Sequence, residues 1–407
     1  MRTKKSLFVC VVLSLVLLAP VFGGGQQEGV PGVTEDTIRV GSTMALSGPV
    51  AAIGGPMAEG LRAWIAHVNN AGGIHGRQID LRIQDDQFNP ANTASLTRRL
   101  VERDRVFAMV GSLGTPCVLA IMDYLNDRGV PFVYQGAGAT QLAVPPKQYV
   151  FPFQPNYLLE GNVMATYMVE ELGLTRLGMV YRNADDGQDA YNSARETIEK
   201  AYPNAKLVEA ISVDPYSSDF STAIRRLQAA DVEGIMLVTF NPQTPAFLQQ
   251  AYEFGLTDPV ILGSYANADA SVVAAAGPDA GEGFQVMAWV AADLTDPDFP
   301  PWKIYQDFVG RADAIPNAFA VAGMIAGELF TEGLERAGRD LTREALVEAM
   351  ESMDNWQGQL VPGATYHPFG DGTDVTSRLG IQAMYVLEVQ NGGLAPVSQW
   401  IQYRDLD

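Results

Sequence analysis

The 407-residue chain is expected to be an α/β protein of two doubly wound parallel-sheet lobes joined by three hinge crossings. Three observations lead there. The chain is longer than the roughly 250–300 residues at which a single hydrophobic core stops growing. Apolar, strand-like runs alternate with stretches of helical period along most of it, and that alternation implies parallel sheets with right-handed crossovers. The alternation falls into two groups, with the proline-marked, extended "FPFQPN" (151–156) between them.

The first residues stand outside the fold. Arg2, Lys4 and Lys5 make a basic start, Leu7 to Leu18 an apolar stretch, and Val21 and Gly23 supply the small residues of a cleavage site before Gly24. Residues 1–23 therefore read as a secretory signal peptide. Residues 24–36, "GGQQEGVPGVTED", read as a flexible leader.

The first group then opens. Strands are expected at "TIRVGSTMA" (37–45), "QIDLRIQ" (78–84), "VFAMVG" (106–111) and "VPFVYQ" (130–135). Between the first two, Met57, Leu61, Trp64, Ile65 and Val68 recur on one face of a 3.6-residue period, and Gly72-Gly73 stops the helix. The second group has strands at "RLGMVYR" (176–182), "AKLVEAISV" (205–213), "EGIMLVTF" (233–240), "PVILGS" (259–264) and "GFQVMAW" (283–289). Two helices follow, about 316–337 and 342–353, and then two strands, "IQAMYVLEV" (381–389) and "VSQWIQY" (397–403). One lobe is expected to hold 37–153 and 286–355, the other 154–285 and 356–407. Crossings are expected near 151–156, 283–287 and 354–362.

Composition narrows the function. Formal net charge is −20, and −23 once the signal's three basic residues are gone. That argues against nucleic acid and against a polybasic membrane patch. Cys10 leaves with the signal, so Cys117 stands alone and forms no internal bridge. No cysteine stands where the signal ends, so no lipid anchor is expected. His67, His75 and His367 are not paired at metal-ligand spacing. There is no G-x-S-x-G elbow and no G-x-x-x-x-G-K-[ST] loop. The acidic loops "NADDGQD" (183–189) and "DGTD" (371–374) miss the calcium-loop spacing and read as solvated turns, with Asp186 set apart because it follows a strand's carboxyl end. No catalytic group, metal or cofactor is expected.

Two loops carry the binding argument. In doubly wound sheets ligands sit beyond the carboxyl ends of strands. "GSLGTP" (111–116) and "GAGATQ" (136–141) lie at such ends and are nearly bare of side chains. Thr115 is placed as an N-cap and Pro116 as the first helical residue, leaving free N–H groups at a helix N-terminus, a site for a carboxylate. Gly111 and Gly114 let a ligand touch backbone. The same pattern also describes a capped helix with nothing at its end. "GAGATQ" lacks the third glycine of a dinucleotide loop, and Pro145-Pro146 interrupts the helix such a loop needs. Backbone near Gly138 and the Thr140 hydroxyl are the better candidates for a small polar ligand.

"TIRVGSTMALSGPVAAIG", "HVNNAGGIHGRQIDLRIQDDQFNPA", "VGSLGTP", "YQGAGAT" and "SSDFSTAIRRLQAADVEGIMLV" together resemble the periplasmic branched-chain amino acid-binding proteins, type I solute-binding proteins of ABC transporters. The likeness runs from about Ile38 to the end of the chain. It implies two lobes on hinge strands with a ligand in the cleft, a periplasmic monomer, and delivery to an ABC permease. It places the ligand's α-carboxylate on Thr115, with Gly114 beside it, on backbone around Gly138 and Ala139, and on Thr140. This chain departs from the pattern on the other side. Tyr265 aligns with the acid that holds the ligand ammonium, Asp186 with an aromatic, and Ile53 with the aromatic or small residue after "SGP"; Phe88 and Gly114 lie near the positions of a cysteine pair.

Two ligand readings follow: Asp186 meets an ammonium from another direction, or the ligand is an acid or amide without one. Tyr265, Phe240 and Ile53 favour an apolar or aromatic body. An extracellular sensing module is the alternative function, and a secreted hydrolase, which lacks a nucleophile–base signature, comes third.

Overall fold

The computed structural model describes residues 29–48, 50–290 and 299–406. The expected signal peptide lies outside them. Part of the expected leader lies inside and is not loose. Val33 bridges Ile38, the Arg39 N–H donates to Gly32 O at 2.7 Å, and Arg77 Nε donates to Thr34 O at 2.8 Å. The Pro31-Gly32 turn folds the segment back onto the first strand, which satisfies backbone groups that a free leader would leave to water.

The first sheet is built from β1 (Thr37–Met44), β2 (Gln78–Asp85), β3 (Ala108–Val110), β4 (Phe132–Val133) and β5 (Val150–Phe151), in the order β2-β1-β3-β4-β5, all parallel. Helices α1 (Ala51–Asn70), α2 (Pro90–Arg98) and α3 (Thr115–Asp127) connect its strands. The chain then enters the second sheet through α4 (Tyr157–Thr166), β6 (Arg176–Arg182), α5 (Asp185–Ala201), β7 (Lys206–Val213), α6 (Ser221–Ala229), β8 (Gly234–Val238), α7 (Gln243–Glu253), β9 (Val260–Gly263), α8 (Ala270–Ala276), α9 (Pro278–Gly281) and β10 (Gln285–Ala288). Its parallel strands run β7-β6-β8-β9-β10, the same winding as the first sheet.

Helices α10 (Trp302–Val309), α11 (Ala318–Ala337) and α12 (Arg343–Glu351) return to the first lobe, where α10 and α11 pack on α1 and α12 packs on α11. The chain ends in β11 (Ala383–Gln390), β12 (Gly393–Pro396) and β13 (Ile401–Gln402), which pair antiparallel at the edge of the second sheet. Two final strands were expected where the structure has three, because a turn at Asn391-Gly392 breaks off β12.

The apolar stripe expected on α1 is buried at Met57, Leu61, Trp64 and Ile65. It meets α11 at very close range. A Cβ on Gly60 would lie 1.8 Å from Ala320 O, and one on Gly323 would lie 2.0 Å from Met57 O. Only glycine allows that backbone approach. Trp64 Nε1 donates to Thr331 Oγ1 at 3.0 Å across the same contact. The largest buried cluster is continuous between the lobes, from Val40 and Leu61 to Met179 and Val238.

The crossings come later in the chain than expected, except for the first. β5 ends at Phe151 and α4 starts at Tyr157, capped by Asn156, whose side chain accepts the Leu159 N–H at 2.8 Å. β10 is a full member of the second sheet, so the second crossing follows Ala288 rather than lying at 283–287. Residues 354–362 also stay with the first lobe. The buried Glu328 carboxylate on α11 accepts the N–H groups of Gln359, Leu360 and Val361. Further on, buried Arg378 pairs with Glu351 at 2.7 Å and donates to the carbonyls of Lys147 and Gln148. The third crossing comes after it, where the Gly380 N–H donates to Pro152 O at 2.9 Å beside the first.

Candidate functional site

Both sheets have their switch point between the two central strands, so the loops after β1 and β3 in one lobe and after β6 and β8 in the other converge on the ligand position of such folds. On the first lobe, the loops after β3 and β4 are laced together. The Gly114 N–H donates to Gly136 O at 3.0 Å, and the Gly136 N–H donates to Ser112 O at 2.8 Å.

The helix start differs from the sequence reading. Gly114, at φ +95°, occupies the N-cap position, Thr115 is already helical, and no side chain caps α3. Thr115 therefore does not serve as the cap. A left-handed glycine ends the loop, and the Thr115 side chain lies beside the Tyr157 phenol rather than capping the helix. Among the described residues no acceptor meets the Thr115 N–H.

Gly138 is bare for a local reason. A Cβ there would lie 2.6 Å from the Tyr265 hydroxyl and 2.8 Å from Tyr157 Cε1, while Gly138 O accepts the Tyr157 N–H at 2.9 Å. The glycine lets two tyrosines of the second lobe settle on the first. Ala139 is buried in the first lobe's own core with Val118 and Leu142, so what it offers a ligand is backbone. The Thr140 hydroxyl donates to Asp189 Oδ2 at 2.7 Å, a bond from one lobe to the other. Asp189 was read as part of a solvated turn, and the structure joins it to the candidate site instead.

On the second lobe, Tyr265 opens the turn after β9. Its ring lies parallel to that of Tyr157, 10° apart in plane and 6.5 Å between centroids. Its hydroxyl accepts from Gln154 Nε2 at 3.1 Å, and its N–H donates to Glu160 Oε1 at 2.8 Å. Burial pushes the Tyr157 phenol up to about 12, and the nearby Asp186 charge adds to the effect. Asp186 is itself buried in the first turn of α5. Burial raises its carboxyl, and Arg182, 3.2 Å away, pulls it back. The Arg182 guanidinium lies 4.4 Å over the Phe240 ring, a cation–π contact, and its Nε is buried without a partner. Ile53 sits in the first turn of α1, half-buried against the main core, as is Phe240.

The structure thus gathers Thr115, Gly138 and Tyr265 around Tyr157, and Asp186 and Phe240 around Arg182. Ile53 has no polar tie to either group. Sequence reasoning missed Tyr157, Gln154, Glu160, Arg182 and Asp189. A signal existed for two of them. Arg182 closes a strand at its carboxyl end, and Tyr157 follows the crossing directly at a helix start. Glu160 carried none, since an acid in a first helical turn is ordinarily a solvated partner of the helix dipole. Cys117 is buried, which pushes its thiol up to about 11, as suits a packing residue. Among the described residues no cluster of His, Cys, Asp or Glu could hold a metal, and no helix is long and apolar enough to cross a membrane.

Two lobes of identical winding, with facing loops that share hydrogen bonds, define the class of two-lobed solute-binding proteins. The chain belongs to the periplasmic binding protein family, whose profile matches residues 37–393. That family consists of solute-binding proteins, not enzymes, and this chain is a solute-binding protein. A leucine-, isoleucine-, valine-, threonine- and alanine-binding protein of Pseudomonas aeruginosa is 23% identical over 317 residues, 78% of this chain and 83% of that one. Among solved structures, a fatty acid ABC transporter substrate-binding protein from Thermomonospora curvata superposes with TM-score 0.75 at 22% identity, covering 93% of this chain and 96% of its own. An R. palustris solute-binding protein in complex with benzoate superposes with TM-score 0.73 at 19% identity, covering 90% and 97%. At these identities the solved structures establish the fold alone.

Proposed function

We propose that the chain is exported, captures a small carboxylate-bearing molecule between its lobes as a monomer, and hands it to an ABC permease. The observation that carries the ligand class is the unpartnered Thr115 N–H at the start of α3, opened by Gly114 and flanked by the Thr115 hydroxyl. A helix N-terminus of this kind stabilises a carboxylate through free N–H donors and the positive end of the helix dipole. The ligands for which the similar proteins are named, branched-chain and small amino acids, a fatty acid and benzoate, have a carboxylate in common. Backbone around Gly138 and Ala139 and the Thr140 hydroxyl complete this half, Thr140 by exchanging Asp189 for the ligand. Tyr265, Phe240 and Ile53 supply the apolar half. Mass spectrometry of small molecules released from the purified protein, followed by calorimetry with each acid found, tests the reading. Release and rebinding of only neutral or cationic solutes would refute it. N-terminal sequencing of exported protein should find a start near Gly24.

A further inference from the structure

We propose that Tyr157 is an internal competitor of the solute: its ring covers the groups read above as the carboxylate half of the cleft, and a solute is held there only once that ring has been displaced. The inference rests on the carboxylate reading and concerns what sets the affinity of that half. Thr115 and Gly138 belong to the first lobe, whereas Tyr157 opens α4 on the second. A Cβ on Gly138 would lie 2.8 Å from Tyr157 Cε1, so the ring rests directly on the glycine. The phenol stands beside both the Thr115 side chain and the Gly138 backbone. Among the described residues no backbone carbonyl meets the Thr115 N–H or the Gly138 N–H, so both donors are open to whatever stands there. Tyr157 is itself buried, 7% exposed, so it lies inside the cleft and not at its mouth.

Two features make this ring displaceable. The first is its anchorage. Its parallel neighbour Tyr265 is fastened to the first crossing: Gln154 Nε2 donates to the Tyr265 hydroxyl at 3.1 Å, and Gln154 Oε1 accepts from the Tyr134 hydroxyl at 3.4 Å. The Tyr157 hydroxyl is not fastened to the crossing; what lies beside it is Thr115 and Gly138, the groups a solute needs. The second feature is charge. Burial, with the Asp186 charge adding to it, pushes the Tyr157 phenol up to about 12, so it stays neutral near neutral pH. A carboxylate brings a full negative charge to the same donors at the start of α3. Charge-assisted hydrogen bonds are roughly twice as strong as neutral ones, and the helix dipole adds to the preference. The acid therefore holds these groups more strongly than the phenol does. The Tyr157 N–H donates to Gly138 O at 2.9 Å beside the crossing, so parting of the lobes moves that backbone little. The ring leaves instead by rotation about its own side-chain bonds. Only the uncovered fraction of the protein then competes for solute, and with about one molecule in ten uncovered the apparent affinity falls about tenfold below the intrinsic one.

The test uses the full mature protein, unaltered and as Tyr157→Ala, with L-leucine, benzoate and octanoate as probe acids. Calorimetry gives the affinity of each. Removal of the competitor should tighten binding of at least one probe by about tenfold or more. A ring that only packs, or that itself contacts the solute, lowers affinity when it is removed and does not raise it. Weaker or unchanged binding in Tyr157→Ala therefore overturns the inference and leaves the carboxylate reading standing. Should that variant fail to fold, ring-carbon NMR spectra of the unaltered protein with labelled tyrosine decide. The Tyr157 signal, identified by its loss in Tyr157→Phe, should move on addition of the probe that binds, toward the position of exposed tyrosines. A signal that stays among those of buried tyrosines overturns the inference. Binding of no probe by any form that folds refutes the carboxylate reading and this inference with it.

Discussion

Thr115 changes its part between sequence and structure, and the change alters what a mutation does. As an N-cap its loss would cost about 1 kcal/mol of stability. The cap position belongs to Gly114, so Thr115→Ala should leave thermal stability nearly unchanged while weakening ligand binding by about 1–3 kcal/mol, the range for hydrogen bonds to a charged group. Paired thermal melts and titrations check this, and a large drop in melting temperature would return the threonine to a capping role. Glu160 makes a second prediction at this scale. Its carboxyl stands at about 7 in the folded protein against 4.5 unfolded. The native state therefore holds the proton more tightly. The associated stability is fully present below about pH 4.5 and is lost as pH rises through about 7, a change on the order of 3 kcal/mol. Denaturant titrations at pH 5 and pH 8 should show that decline in the unaltered protein and a flatter profile in Glu160→Gln.

At the scale of elements, Asp189 on α5 and Thr140 in the turn after β4 form a tie between lobes. Asp189→Ala should let the lobes part more readily in solution without ligand, read as a larger radius of gyration by small-angle scattering; an unchanged value would mean that the tyrosine contacts at Gly138 hold the lobes by themselves. The elements that were legible in the sequence are those carried by an apolar run or period: α1, α11, α12, β1 to β4 and β6 to β11. β5, two residues of Val150-Phe151, was hidden inside an extended proline-rich run, and α10 was too short to display its period. The site was legible on the first lobe because small residues at strand ends mark a close approach of backbone, whatever approaches. It was illegible on the second because pairing is not written in spacing. Nothing in "YRNADD" says that Arg182 will neutralise Asp186, and nothing in "NYLLEG" says that Glu160 will lie under a loop more than a hundred residues away. The late crossings were missed for the same reason: Glu328 and Arg378 bind distant backbone groups rather than neighbours in the chain.

For the molecule as a whole, the two lobes meet through few polar contacts at the cleft and share a continuous core near the crossings. Such a build permits rotation about the crossings, and a ligand that touches both lobes favours the conformation in which they meet. Scattering with and without a bound acid should show contraction on binding, and no contraction at saturation would count against hinge closure. The close packing of α1 on α11 has a further consequence, one of timing. Gly60 and Gly323 fit together across more than half the chain, and Trp64 waits for Thr331. The amino-terminal lobe therefore lacks a wall until the last quarter of the polypeptide has been made. Contacts this distant form slowly, because a long loop must close before they contribute. A chain threaded outward from its amino terminus would keep that lobe loosely organised until nearly all of it had emerged, which is the condition that passage through a narrow translocation channel requires.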